Sequence, residues 1–492
     1  MNAPLHRELP PSGLDPVRAL DQVTRQWDSD ILRQLTDYIA IPAKSPGFDP
    51  DWAAHGHIDT VLRNAAAWVE AQKVEGLALE VVRLPGRTPV LFFEVAATRA
   101  AAADAQTVLM YGHLDKQPEF SGWRADLGPW TPKYEDGKLY GRGAADDGYA
   151  VYASVAAVQA LKAQNVAHPR IVGLIETSEE SGSRDLLPYI DALRTRLGDV
   201  GLVICLDSGA GNYEQLWLTT SLRGMAAGTL KVQVLTEGIH SGDASGLVPS
   251  SFRIMRQVLD RLEDSQTGRL LPEIFHCDIP AERLAQARAT AAILGDEVYK
   301  RFPWAHYDCG GATAFALPTT TDPVQALINR TWTPTLSVTG AEGLPALQDA
   351  GNVLRPYTAF KLSLRLPPLV DAAQAVQRLK ALLEDNAPYQ AHVTFEPFSA
   401  ATGWNAPDTV PWFEQALHRA SRAHFDAPCG YIGQGGTIPL MNMLSEGFPK
   451  AQMMVCGVLG PRSNAHGPNE FLHVPYAKRL TAAVAEVMAA MP

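Results

Sequence analysis

The sequence predicts an α/β fold in which a central, mostly parallel sheet is interrupted by an inserted α+β module. Three observations predict it. Short apolar runs rich in Val, Ile and Leu recur at residues 89–96, 107–111, 170–175 and 200–206, which suits strands buried on both faces. Helical patterns at 149–164 and 184–197 lie among the later runs, and strands alternating with helices build an α/β sheet. From about residue 216 the runs alternate apolar and polar residues, as strands with one solvated face do.

The elements follow in order. Residues 15–40 and 57–75 carry apolar side chains at helical spacing, as in Ile31, Leu32, Leu35, Tyr38 and Ile39. The Ala-rich run at 96–103 reads as a loop after the first strand. The alternating runs lie at 216–220, 226–235, 334–339 and 357–366, with long helical patterns at 250–264 and 371–385. Beyond residue 398 come a helix at 408–423, a Gly-rich loop, an apolar run at 451–458 and an Ala-rich helix at 475–490. That tail is too small for a domain of its own, so it is expected to complete the first sheet. The expected division is a first domain from 1–215 and 398–492, with 216–397 as the insertion.

Composition sets bounds. At 492 residues the chain is too long for one ordinary domain. With 46% hydrophobic and 19% charged residues it can bury a large core, which excludes wholesale disorder. A net charge of −11 argues against nucleic acid or an anionic membrane as partner. Cys205, Cys277, Cys309, Cys429 and Cys456 are odd in number and widely spread, which disfavours a disulfide framework and a thiolate zinc site. The stretch MNAPLHRELPPSGLDP has no signal-peptide core, and no apolar run is long enough to span a membrane. A cytoplasmic location is expected.

The informative residues follow the predicted strands, where ligands bind in open α/β sheets. GHLD supplies His113 and Asp115, and GRGAADDG supplies Asp146 and Asp147. ETSEESGS supplies Glu176, Glu179 and Glu180, CLDSG supplies Asp207, and SNAHGPNE supplies His466 and Glu470. Each piece alone is ordinary: an Asp pair before Gly makes a turn, and an Asp before Ser-Gly caps the next segment. Together, and all after strands, they form a set of imidazoles and carboxylates suited to divalent transition metals. Two metals sharing a carboxylate need about five such ligands, plus a base that is not itself a ligand.

The motifs MYGHLD, GRGAADDG, ETSEESGS, CLDSG and SNAHGPNE, with EGIHSGDASG and FKLSLRLPP further on, resemble the M20 family of di-metal aminoacylases, carboxypeptidases and dipeptidases. The resemblance runs from about residue 20 to the end. The E-E-S-G-S form and WLTTSLRGM are most similar to its dipeptidase branch, which includes cytosolic nonspecific and carnosine dipeptidases.

The resemblance implies a catalytic domain interrupted by a lid that also serves dimerisation, and hence a homodimer. It implies two divalent ions per subunit, with Zn²⁺ first and Mn²⁺ or Co²⁺ as alternatives. His113 and Asp207 would hold one ion, Glu180 and His466 the other, with Asp146 between them. Asp115 would accept a hydrogen bond from His113 and orient its ring. Glu179 would be the general base, taking a proton from a metal-activated water and passing it to the leaving amine. His240 would hold the substrate carbonyl, often from the partner subunit. Arg365 would bind the substrate carboxylate, for which a guanidinium is well shaped. Gly436 and Thr437 of GQGGTIP, with Gly435, would approach the same group. Trp123 and Trp130 read as packing residues beside the substrate mouth.

The expected reaction is therefore amide cleavage in dipeptides or similar small carboxylate-bearing substrates. The alternative is hydrolysis of N-acyl or N-carbamoyl amino acids. It draws on Gln434, which stands where dipeptidase relatives often carry an acid that could pair with a free α-amino group. A binding protein without catalysis is disfavoured because every ligand position and the base are present. No G-x-S-x-G elbow supports a serine hydrolase.

Overall fold

The structure is a computed structural model that describes residues 12–98, 106–309 and 312–492. The N-terminal reading at residues 1–11, and most of the Ala-rich loop expected at 96–103, lie outside the described residues. The chain divides into two compact units. One comprises 1–220, 406–432 and 443–492, and the other 221–405 and 433–442.

The first unit is built on a six-stranded sheet. Its order is Leu77–Val82, Val90–Val95, Ile171–Glu176, Thr107–His113, Val200–Cys205 and Gln452–Val455. The last four run parallel, and the first two pair antiparallel, so the sheet is mostly parallel. Strands Thr107–His113, Ile171–Glu176 and Val200–Cys205 are buried at every residue. That is why their sequences read as continuous apolar runs rather than alternating ones. Helix Tyr149–Ala163 is also buried nearly all round, between the sheet and helix Val474–Ala490. Pro16–Gln26, His57–Ala71 and Pro411–Phe425 complete the helical layers. Pro411 and Pro475 stand in the first turns of their helices, where a missing N–H costs nothing.

Edge strand Leu77–Val82 had no counterpart in the sequence reading. Its burial alternates weakly because one side of the strand faces water, and its short pattern LALEVV is equally compatible with a helix.

The second unit holds a four-stranded antiparallel sheet in the order Thr335–Glu342, Tyr357–Leu366, Gly224–Gln233 and His392–Ala401. Leu230, Leu362, Leu364 and Phe395 point to one face. Helices Ser251–Leu259 and Ala372–Glu384 cover it with Ile254, Met255, Val258, Leu379 and Leu383. Ser250 and Asp371 cap these helices through their side chains. Strand His392–Ala401 and helices Ala281–Leu294 and Pro323–Thr331 were not read from the sequence.

Among the described residues no helix is long and apolar enough to cross a membrane. Cys205, Cys277, Cys429 and Cys456 are free thiols.

Candidate metal centre

The carboxyl ends of the parallel strands gather the polar residues. His113 closes Thr107–His113, Glu179 and Glu180 form a 3₁₀ turn after Ile171–Glu176, and Asp207 follows Val200–Cys205. Asp146 sits in the turn Ala144–Gly148 that opens helix Tyr149–Ala163, and its peptide bond to Asp147 is cis. The turn packs against the strand end because Gly112 has no side chain. A Cβ there would lie 2.6 Å from Ala150 Cβ and 2.9 Å from Asp147 Oδ2. His466 arrives from the C-terminal segment. A small antiparallel sheet of Lys133–Glu135, Lys138–Tyr140 and Phe471–His473 ties that segment to the Asp146 turn.

The result is two triads that share one residue. Ligand atoms of His113, Asp146 and Asp207 lie within 4.8 Å of one another, as do those of Asp146, Glu180 and His466. Asp146 faces the two imidazoles with different oxygens: Oδ1 is 3.3 Å from His113 Nε2, and Oδ2 is 3.0 Å from His466 Nε2. Asp207 Oδ2 lies 3.8 Å from His113 Nε2, and Glu180 Oε2 lies 3.3 Å from His466 Nε2. Glu179 Oε2 stands 3.9 Å from His113 Nε2 and belongs to neither triad. His113 is fully buried, whereas the His466 side chain is 54% exposed, so the centre opens on the His466 side.

Asp115 is placed differently from the expectation. His113 Nδ1 is nearer to the Asp115 backbone carbonyl, at 3.1 Å, than to its carboxylate, at 3.5 Å. The carboxylate instead accepts the backbone N–H groups of Glu179 and Glu180, at 3.1 and 3.0 Å. It therefore fixes the turn that carries both glutamates.

The electrostatics are those of crowded acids. Burial, then Asp207, pushes Glu179 well above the usual carboxylate range, and burial and Asp146 do the same to Glu180. Burial and Asp146 push Asp207 up to about 7. Burial also opposes charge on Asp146, but the adjoining His113 and His466 imidazoles hold it far below that range. Burial opposes charge on His113 too, yet Asp115, Asp146 and Asp207 raise it well above an ordinary imidazole.

Two buried atoms, His113 Nε2 and Glu180 Oε1, have no hydrogen-bond partner. Buried polar atoms are seldom left so. An unpartnered imidazole nitrogen ringed by carboxylate oxygens fits divalent cations, which would also relieve the repulsion among the acids.

Several residues have supporting roles that the sequence does not reveal. Arg142 forms a fully buried ion pair with Glu470 and donates to Gly467 O at 2.9 Å. Glu470 also accepts from Gly143 N at 2.9 Å, so the pair clamps the His466 segment to the Asp146 turn. Gln117 donates to Glu180 Oε2 at 2.6 Å. Glu176, which burial pushes up to about 7, accepts from Tyr111 at 2.6 Å. Arg142 stands inside GRGAADDG, but nothing local names a partner 328 positions away. Trp123 and Trp130 pack near Arg142 and Lys116 respectively.

The remaining predicted site residues belong to the second unit. His240 is exposed and its Nδ1 accepts from Gly242 N at 3.1 Å, capping a short helix. Arg365 donates to Thr437 Oγ1 at 2.8 Å, next to Gly436.

The model of peptidase family M20/M25/M40 matches residues 109–490. The chain belongs to this family. Its M20 relatives include a cysteinylglycine-S-conjugate dipeptidase of Corynebacterium striatum, 30% identical over 437 residues, covering 86% of this chain and 90% of the relative. A Beta-Ala-His dipeptidase of Homo sapiens is 27% identical over 361 residues, covering 71% and 68%. The crystal structure of human carnosine dipeptidase 1 has the same fold, with a TM-score of 0.73 at 23% identity over 97% of this chain and 100% of that one. As an M20 member the chain is a metallopeptidase, and the two triads sharing Asp146 form a candidate dinuclear metal site.

Proposed function

We propose that the chain is a dipeptidase that cleaves the amide bond of dipeptides or similar small carboxylate-bearing substrates. The observation that carries this reading is the division of Asp146 between His113 and His466, with Glu179 beside the triads but outside them. The dipeptidases among its relatives supply the substrate class.

In this reading His113, Asp146 and Asp207 hold one cation, and Asp146, Glu180 and His466 hold the other. Zinc is the first choice for such imidazole and carboxylate donors, and manganese or cobalt also suit them. The cations supply Lewis-acid polarisation of the scissile carbonyl and acidify water. Glu179, raised by burial and Asp207, is poised to take a proton from the attacking water and hand it to the leaving nitrogen. Asp115 orients both glutamates through their N–H groups. His240 steadies the substrate carbonyl, and Arg365, Gly436 and Thr437 bind its carboxylate, which the Arg365–Thr437 hydrogen bond supports. A homodimer in the cytoplasm accords with exposed Leu317 and Leu347 and with the free thiols. The net charge of −11 accords with a small-molecule partner rather than nucleic acid.

One residue favours a second substrate class. Gln434 offers an amide where an acid could pair with a substrate ammonium, so N-acyl amino acids are tolerated better than by acid-bearing relatives. The test is a metal-reconstituted activity screen over dipeptides and their N-acetyl forms, with elemental analysis of the same sample. Turnover of neither class, with both ions bound, overturns the reading. A strong preference for the free amine removes the N-acyl class.

A further inference from the structure

The loop Gly435–Thr437 is lined by more positive charge than one carboxylate needs. Arg365 reaches Thr437 from strand Tyr357–Leu366. Arg223 donates from Nε to Gly435 O at 3.2 Å and from Nη1 to Thr335 Oγ1 at 3.1 Å. Thr335 is the cross-strand partner of Arg365, so the two guanidiniums flank one residue. Arg330 comes from the end of helix Pro323–Thr331. A Cβ on Gly435 would lie 3.2 Å from Arg223 Nη2 and 3.3 Å from Arg330 Cγ, which places both arginines against the bare face of that glycine.

None of the three has an acidic partner among the described residues, and Arg330 Nε is buried without any acceptor. Burial and repulsion between the guanidiniums act against them: Arg330, beside Arg301 and Arg223, is pulled down to about 9, and Arg223, beside Arg365, to about 10. All stay charged at neutral pH. The helix C-terminus offsets part of the cost at Arg330, but three clustered cations without a counter-charge are strongly unfavourable unless an anion joins them.

We propose that Arg223 and Arg330, beside Arg365, form a subsite for a second anionic group on the substrate. The preferred substrates then end in an acidic residue, with one carboxylate on Arg365 and Thr437 and the side-chain acid on Arg223 and Arg330. This rests on the assignment of Arg365 to the substrate carboxylate.

Two measurements on the metal-loaded protein test it. In the first, kcat/KM is compared for glycyl-glutamate and its isosteric neutral counterpart, glycyl-glutamine. The acid is expected to be preferred at least about tenfold, the fold-change of one charge-assisted contact. In Arg330→Met and Arg223→Met that ratio collapses toward one, and Arg330→Lys restores part of it. Equal rates for the two peptides, or a ratio that neither variant moves, overturn the proposal. In the second, calorimetry follows glutarate against butyrate. Saturable glutarate binding, weakened about tenfold in Arg330→Met with butyrate unaffected, supports the subsite. Glutarate binding no tighter than butyrate overturns it. Glutarate binding without turnover of any peptide would refute the dipeptidase reading while leaving the anion subsite standing. Arg330→Met removes a buried unpaired charge, so its melting temperature is expected to equal or exceed that of the parent, which guards against misfolding as the cause.

Discussion

The Asp115 carboxylate accepts the backbone N–H of Glu179 at 3.1 Å, while the backbone carbonyl of the same aspartate lies 3.1 Å from His113 Nδ1. One residue thus sets both the His113 ring of the first triad and the turn that carries Glu179. Asp115→Asn puts a donor where one carboxylate oxygen accepts, so one N–H of the turn faces an N–H. Metal content is expected to hold while kcat falls about 10- to 100-fold, the usual scale for a residue supporting metal ligands. Elemental analysis beside steady-state kinetics checks this. Unchanged kcat would mean that the turn needs no such anchor.

Glu179 and His466 are expected to separate chemistry from binding. Glu179→Ala should keep both ions and lose about 10²- to 10⁴-fold in kcat, the range of a general base. His466→Ala should lose metal from the triad of Asp146, Glu180 and His466. Parallel metal analysis of the two variants decides it. Full occupancy in both removes His466 from the ligand set.

Chelation should unfold as well as inactivate. Burial and mutual repulsion raise Glu179, Glu180 and Asp207. Ions that bind only the folded chain add about 4 kcal/mol when present at a thousandfold excess over their dissociation constant. Melting curves with EDTA, then with added Zn²⁺, should show Tm fall and recover. A chelated protein that melts at the same temperature would contradict a metal centre buried as described.

His424 gives the acid limb of stability. It is buried without a hydrogen-bond partner, and burial lowers its pKa to about 4. The unfolded chain binds this proton near pH 6.5, so the unfolded state holds more protons between those values. The contribution is full above about pH 6.5 and is lost as pH falls toward 4, about 3 kcal/mol in all. His424→Leu should flatten that part of the stability curve in urea melts at stepped pH. A parent and variant with the same slope would show that His424 does not titrate there.

The parallel strands were readable because burial on both faces leaves only apolar residues. Polar groups such as His113 and Asp207 then mark the strand ends sharply. The same logic fails at Leu77–Val82, where an edge strand keeps one side in water, and at Ala281–Leu294, where alanines leave no clear apolar stripe. Segment 433–442 groups with the second unit although it lies far along the chain, and no local pattern signals that return. The Arg142–Glu470 clamp and the Asp115 anchor were likewise hidden, since side-chain partners distant in sequence are chosen by topology.

The late arrival of His466 has a consequence during synthesis. His113, Asp146 and Asp207 lie in the first half of the polypeptide, and His466 follows 259 positions after Asp207. At ribosomal speeds that interval lasts roughly 10 to 50 s. Throughout it, the nascent protein carries one triad whole, with Asp146 and Glu180 still lacking His466. Edge strand Gln452–Val455 and the Glu470 clamp are also still unmade. A product that stops before His466 is therefore expected to hold metal at most at the His113, Asp146 and Asp207 triad and to hydrolyse nothing.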